Sequence, residues 1–320
     1  MPDLVMHHYF GSKLLASLDS EVKAKITNKK LYDFATAGPD PFFFISFWNK
    51  AKNKVGLDFG NQMHRHKTRA FFSTLTRIAK NDKKMFSYLC GFIAHYALDV
   101  KAHPYIFFKT GVYDATNIET LKYRGLHTKL ERAIDTYIIK KEYYSTPHKF
   151  KIHKHILKLK KLDNDYKQSF DQLYSEAFNI NDGFDRVNKS VIDQRKFYKF
   201  IYDPWGLKQK LLTKLDNGKS SLDLKVLSYY HKEITNIDIF NIDKKVWTNP
   251  VDNTIKSNLS FFELFDEAIT MAIKMINYVF KVVYQNQELD ESQIPDLTYI
   301  DGLACDLGKP MQYFNNIFEV

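Results

Sequence analysis

A greasy stretch broken only by groups able to bind a cation constrains this chain more than any other feature. Between Lys84 and Val100, the residues Met85, Phe86, Tyr88, Leu89, Phe92, Ile93, Tyr96 and Leu98 leave little polar surface. The interruptions are His95 and Asp99, followed by His103. On a helix these three fall on one stripe, with successive Cβ atoms about 5–6 Å apart. An ionised aspartate in such a helix is costly unless it is paired or coordinates a cation. A core histidine hydrogen-bonded to the aspartate would meet the same demand, so this pair alone does not decide. His127 and Glu131 repeat the spacing on the next predicted helix, Leu121 to Tyr137. Imidazole nitrogen and carboxylate oxygen are ligands that zinc and related divalent ions accept.

Composition narrows the alternatives. A chain of 320 residues with 44% hydrophobic content can bury one large core or two smaller ones. Mean hydropathy of -0.39 and the lack of an apolar run near 18 residues speak against a spanning helix. No basic, apolar leader pattern opens the sequence, so the expected location is cytoplasmic. Cys90 and Cys305 supply neither a disulfide framework nor a thiolate site. A metal must therefore rest on nitrogen and oxygen. The net charge of +10 suits an anionic partner without naming one.

Further histidines and carboxylates lie upstream. His7 and His8 precede an amphipathic segment at Lys13–Leu18, and adjacent residues on a helix cannot both face one site. Asp40 stands between two prolines in the turn 35–41, where it either faces a site or caps a helix expected at Phe42–Trp48. Gly56–Met63 reads as a loop, after which His64 opens a helix running through Phe71, Phe72, Leu75 and Ile78. His64 and His66 fall on different faces of it. The lysine-rich stretch 140–161 marks the best boundary, dividing 1–147 from a helical extension at 148–320, though one continuous domain fits equally. His148, His153 and His155 lie among its lysines and are expected to be solvated. Beyond it, helices are expected at Tyr166–Phe178, Asp193–Tyr202, Leu207–Leu215, Leu222–Ile234 and Ser260–Gln285, with an aromatic tail from Pro295. No β-alternation is sustained, and the fold class is all-α. There is no phosphate-binding glycine loop and no Gly-x-Ser-x-Gly elbow.

In order along the chain, His7, Asp40, His64, His95-x3-Asp99, His103 and His127-x3-Glu131 resemble the zinc-dependent phospholipase C family. This family includes the bacterial phosphatidylcholine-cleaving phospholipases and the clostridial alpha-toxins, and the likeness covers roughly the first 135 residues. It implies an all-α helical bundle of the zinc-dependent phospholipase C and P1 nuclease type, binding two or three zinc ions. By that likeness, Asp40, His64, His95 and Asp99 hold one ion, and His103, His127 and Glu131 a second. His7, a bridging Asp99 and the chain's amino terminus hold a third. The gap from Asp99 to His103 is shorter than in the secreted enzymes, and that from Asp40 to His64 is longer. No tryptophan stands where those enzymes expose one by signal cleavage; Pro2, freed by loss of Met1, is the stand-in.

The resemblance further implies hydrolysis of a phosphoric ester, first of all a phospholipid, with contact to a membrane surface. Divalent ions that close together activate water for in-line attack, and Asp40 is the candidate general base. Two other readings stay open. One is a metal-dependent phosphodiesterase or nuclease on nucleotides, which the basic charge suits. The other is a non-catalytic helical binding protein that metal merely stabilises.

Overall fold

The computed structural model describes residues 4–216, 218, 223–230 and 233–319. Among them are twelve α-helices. They are α1 Leu4–Ser17, α2 Ser20–Ala24, α3 Lys29–Ala35, α4 Lys50–Arg65, α5 Thr68–Asn81 and α6 Phe86–Thr110. There follow α7 Leu126–Glu142, α8 Ile152–His155, α9 Lys167–Phe178, α10 Gly183–Phe200, α11 Leu207–Leu215 and α12 Phe261–Tyr284. The described strands are two residues each, Trp247–Thr248 pairing antiparallel with Lys256–Ser257. None of the described helices is long and apolar enough to cross a membrane.

Helix α6 is the axis of the bundle. Only Lys101 and Phe107 among its 25 residues escape burial, because α12, α3, α1, α7 and α5 pack around it. A helix apolar on every side is stable only when surrounded in this way. It also runs ten residues beyond the expected end, through Pro104, and so carries His103 on the same stripe as His95 and Asp99. Helix α12 begins with a capping box, the Ser260 hydroxyl accepting from Glu263 N while the Glu263 carboxylate accepts from Ser260 N. Its buried positions Leu264, Ala268, Ala272, Met275, Ile276, Val279 and Val283 recur at helical spacing. They form the face laid against α6, and one hydrophobic cluster continues from Leu4 to Tyr299.

Several expectations are corrected. Residues 56–63 are not a loop but lie inside α4. A Cβ at Gly60 would sit 2.9 Å from the Phe43 ring, so this glycine permits close helix packing and marks no turn. His64 therefore closes α4; the chain breaks at His66 and at Lys67, whose φ is 62°, before α5 starts. Phe42–Trp48 holds only a 3₁₀ turn, Asp40–Phe44, and no side chain caps it. Asp40 is free of that duty. Helix α7 starts at Leu126, after Gly125 at φ 75°, and not at Leu121. Of the helix expected at Leu222–Ile234, Leu222, His231 and Lys232 lie outside the described residues, and the rest forms one 3₁₀ turn, Leu224–Leu227. The Gly-, Asn- and Lys-rich context of α3 and α4 hid both from periodicity.

Candidate metal centre

Five segments deliver side chains to one buried place. Helix α1 brings His7, the turn after α3 brings Asp40, the last turn of α4 brings His64, α6 brings His95, Asp99 and His103, and α7 brings His127 and Glu131. The start of α1 is held by Asp135, four residues beyond Glu131. Its carboxylate accepts from Val5 N at 3.1 Å, Met6 N at 2.8 Å and the Tyr229 hydroxyl at 3.0 Å. A carboxylate at a helix N-terminus satisfies donors that have no intrahelical partner and complements the dipole. His7 is thereby fixed one turn into the helix. Its neighbour His8 points away, toward Asp33 and the Tyr143 hydroxyl.

The eight sequence-predicted residues form one continuous chain of approaches. From one end, His127 Nε2 lies 2.6 Å from Glu131 Oε1, which is 3.6 Å from His103 Nε2. His103 Nε2 is 3.6 Å and His7 Nε2 3.3 Å from Asp99 Oδ1. The other oxygen of Asp99, Oδ2, faces His95 Nε2 at 2.8 Å and His64 Nε2 at 3.9 Å. His64 Nε2 then reaches Asp40 Oδ1 at 3.2 Å. Asp99 thus divides its two oxygens between different sets of histidines. All are buried except His127, whose ring is partly open and packs on Phe107.

The far side of three rings settles which nitrogen faces inward. His64 Nδ1 donates to Gly60 O at 2.7 Å, His95 Nδ1 to Thr36 O at 3.2 Å, and His103 Nδ1 to Tyr299 O at 2.6 Å. A carbonyl oxygen can only accept, so Nδ1 carries a proton, and Nε2 is the nitrogen each ring turns to the cluster, with a lone pair free there in the neutral form. There it meets carboxylate lone pairs. Despite the short separations, both Asp99 oxygens, Asp40 Oδ1, both ring nitrogens of His7, and Nε2 of His95 and of His103 lack an aligned hydrogen-bond partner. The donor atoms gather closely without forming an aligned hydrogen-bond network. Three groups have ligand atoms that all lie within 4.8 Å of each other: His7, His95 and Asp99; Asp40, His64 and His95; and His103, His127 and Glu131.

The electrostatics point the same way. Burial would push Asp99 up, but His103, His95 and His7 around it hold it well below the usual carboxylate range. Asp40 is lowered against its own burial by His95 and His64, and Glu131 is lowered against burial by His127. Burial lowers His127 to about 4. Against burial, Asp99 raises His95 and His103, so the three buried carboxylates draw positive charge to the cluster, and the donor set, with backbone carbonyls steering three outer nitrogens, is one that zinc sites use.

The family model of zinc dependent phospholipase C matches residues 6–180, more than half of the chain. The chain belongs to the zinc dependent phospholipase C family. No curated protein and no solved structure matches it. The all-helical architecture is that of this family, and membership makes the chain a zinc-dependent, phospholipase-like hydrolase in general class.

Other expectations about histidines and carboxylates meet the structure as follows. His66 is exposed and apart from the cluster. His148 and His155 are partly or fully exposed, whereas His153 is buried, contrary to expectation, and belongs to none of the ligand groups. The stand-in Pro2 lies outside the described residues. Sequence reasoning missed Asp135, although its place one helical turn after Glu131 on a buried face was a usable signal. It also missed the carbonyls of Thr36, Gly60 and Tyr299, for which side-chain identity gives none. The tail from Pro295 does dock: Tyr299 is buried, and its backbone N donates to His64 O at 2.9 Å.

Proposed function

We propose that this member of the zinc dependent phospholipase C family hydrolyses the phosphodiester of a phospholipid headgroup. Supporting it most directly is the way Asp99 joins the two arrays of Nε2 atoms, so that the ligand groups share one buried centre. Asp40, His64 and His95, with Asp99 Oδ2, would hold one zinc; His103, His127 and Glu131 a second; and His7 with Asp99 Oδ1 a third. Zinc, when bound, supplies the positive charge that makes water acidic enough to attack at neutral pH and that offsets charge developing on phosphate oxygens. Asp40 is the residue assigned to take the proton from the attacking water. Its lowered pKa keeps it ionised for that task, and Oδ1 has no competing hydrogen bond. Water attacks phosphorus in line, the bond from phosphorus to the glycerol oxygen breaks, and diacylglycerol leaves from a phosphorylated headgroup. The backbone carbonyls of Thr36, Gly60 and Tyr299 keep each ring's Nε2 aimed inward throughout. In this reading residues 148–320 form a helical extension that completes the centre through Tyr299.

A turnover screen with phosphatidylcholine and phosphatidylethanolamine, a dinucleotide, and single-stranded nucleic acid tests the proposal. Release of phosphorylated headgroup, lost with Asp40→Asn, is expected. Cleavage of the nucleotide substrates alone would transfer the same chemistry to a phosphodiesterase of nucleotides. Turnover of none of these would leave a non-catalytic zinc protein.

A further inference from the structure

Helix α11 has an apolar stripe that no described residue buries. Leu207, Leu211 and Leu215, spaced one helical turn apart, are each more than half exposed, and no residue of this helix is buried. Just before it, Trp205 is 78% exposed. The turn that carries it is tied down. Asp203 Oδ2 accepts from Gln209 N at 2.9 Å and from the Ser228 hydroxyl at 2.8 Å, and Gly206 at φ 69° closes the turn between them. Phe200, also half exposed, adjoins this patch through Lys208, whose ammonium sits over its ring at 4.9 Å. Phe47 links Phe200 to exposed Trp48.

The surrounding charge is mostly positive. Between positions 195 and 216 stand six basic residues and two acids, Asp203 and Asp216. Both acids are committed: Asp203 is buried in its cap, and Asp216 pairs with Arg124 at 2.9 Å. Lys199, Lys210 and Lys214 are exposed and enter no ion pair among the described residues. A short helix with leucines on one face, a tryptophan just before it and lysines beside them has the make-up of an interfacial helix, which lies in the headgroup plane of an anionic membrane. Indole is well suited to that boundary, one edge apolar and the N–H wet.

We infer that the Trp205–Leu215 segment docks the protein on an anionic phospholipid surface. The choice of lipid over other anionic partners rests on the phospholipid reading above. On the side of α11 away from the stripe, Gln209 lines a cavity of about 460 Å³ together with Leu126 of α7, Arg124, Lys129, Asp223 and Lys225.

Cosedimentation of the full chain with phosphatidylcholine vesicles, with and without phosphatidylserine, is the test. The expected result is binding that needs phosphatidylserine, weakens with salt and persists in EDTA. Replacing Trp205, Leu207, Leu211 and Leu215 together by serine should lower partitioning by about tenfold or more, with helical circular dichroism retained because every altered side chain is exposed. A blue shift of tryptophan fluorescence on vesicles should be clearly smaller in the single variant Trp205→Phe. Turnover of a short-chain, monomeric phosphodiester should be the same in the serine variant and the parent. Loss of all turnover with vesicle binding intact would sink the hydrolase reading and leave the docking surface standing. Equal partitioning of parent and serine variant, a stripe-dependent dimer without lipid, or nucleic-acid binding abolished by the serine changes would overturn the inference.

Discussion

The imidazole of His103 donates through Nδ1 to the main-chain oxygen of Tyr299, 2.6 Å away and 196 positions later in the sequence. A residue at the middle of α6 is thereby oriented by the tail of the chain. The same tyrosine's backbone N bonds His64 O, and its ring lies 5.4 Å from His64 and 5.9 Å from His95. One tail residue therefore braces three members of the cluster. Outer partners of metal-binding histidines typically contribute about 10–100-fold in metal affinity. Ending the chain at Gln293 should lower zinc affinity at least that much, while Tyr299→Phe, which keeps the carbonyl, should leave it within a few-fold. Competition with a chromophoric chelator measures both.

Gly38 sits at φ 52°, and a Cβ placed there would lie 2.2 Å from the His95 ring. Both the left-handed backbone and the imidazole exclude a side chain. Gly38→Ala should destabilise the fold by about 2–4 kcal/mol and reduce bound zinc, because His95 must swing off its position. Urea midpoints and elemental analysis on the same sample separate the two effects.

His8 offers a pH dependence of known sign. Burial pushes its imidazole from 6.5 down to about 4, with Asp33 pulling it upward more weakly. Above pH 6.5 the ring is neutral in both states and contributes nothing. Between pH 6.5 and 4 the unfolded chain binds a proton that the folded one refuses, so stability falls as pH falls; below 4 the loss is complete, at ~3 kcal/mol. Replacing His8 by Asn should flatten this part of the profile. Urea titrations of parent and variant in EDTA between pH 7 and 4 report the difference.

Asp135→Ala would leave the N–H groups of Val5 and Met6 and the Tyr229 hydroxyl without their shared acceptor. Buried donors stranded in this way cost about 1–3 kcal/mol each, less whatever water recovers. A fall in stability of roughly 2–4 kcal/mol is expected, and α1 should lose its anchor. Amide hydrogen exchange should therefore rise across Leu4–Ser12 before any other helix.

The part of this centre legible in the sequence is the part written in side chains at helical spacing. His95, Asp99 and His103 announced themselves because polar residues at four-residue intervals are conspicuous against Phe92, Ile93 and Leu98. His127 and Glu131 repeated the pattern. Asp40 and His64 were named, but the elements carrying them were not: Gly56 and Gly60 look like turn residues, and only tertiary packing, of Gly56 against Phe42 and Ile45 and of Gly60 against Phe43, makes them helix residues. The outer nitrogens' partners are main-chain carbonyls, which every residue owns and no pattern marks. The exposed leucines of α11 lay within a correctly bounded helix, yet periodicity alone cannot tell a stripe facing the core from one facing solvent.

Anomalous X-ray scattering at the zinc edge, from crystals of the full chain grown with zinc, tests the central claim most directly. Peaks are expected between Asp40, His64 and His95 and between His103, His127 and Glu131, each ligating nitrogen being Nε2 and lying about 2.0–2.1 Å from the ion. Zinc found only at surface histidines such as His148 and His155, with the buried cluster closed on itself by imidazolium–carboxylate pairs, would contradict it.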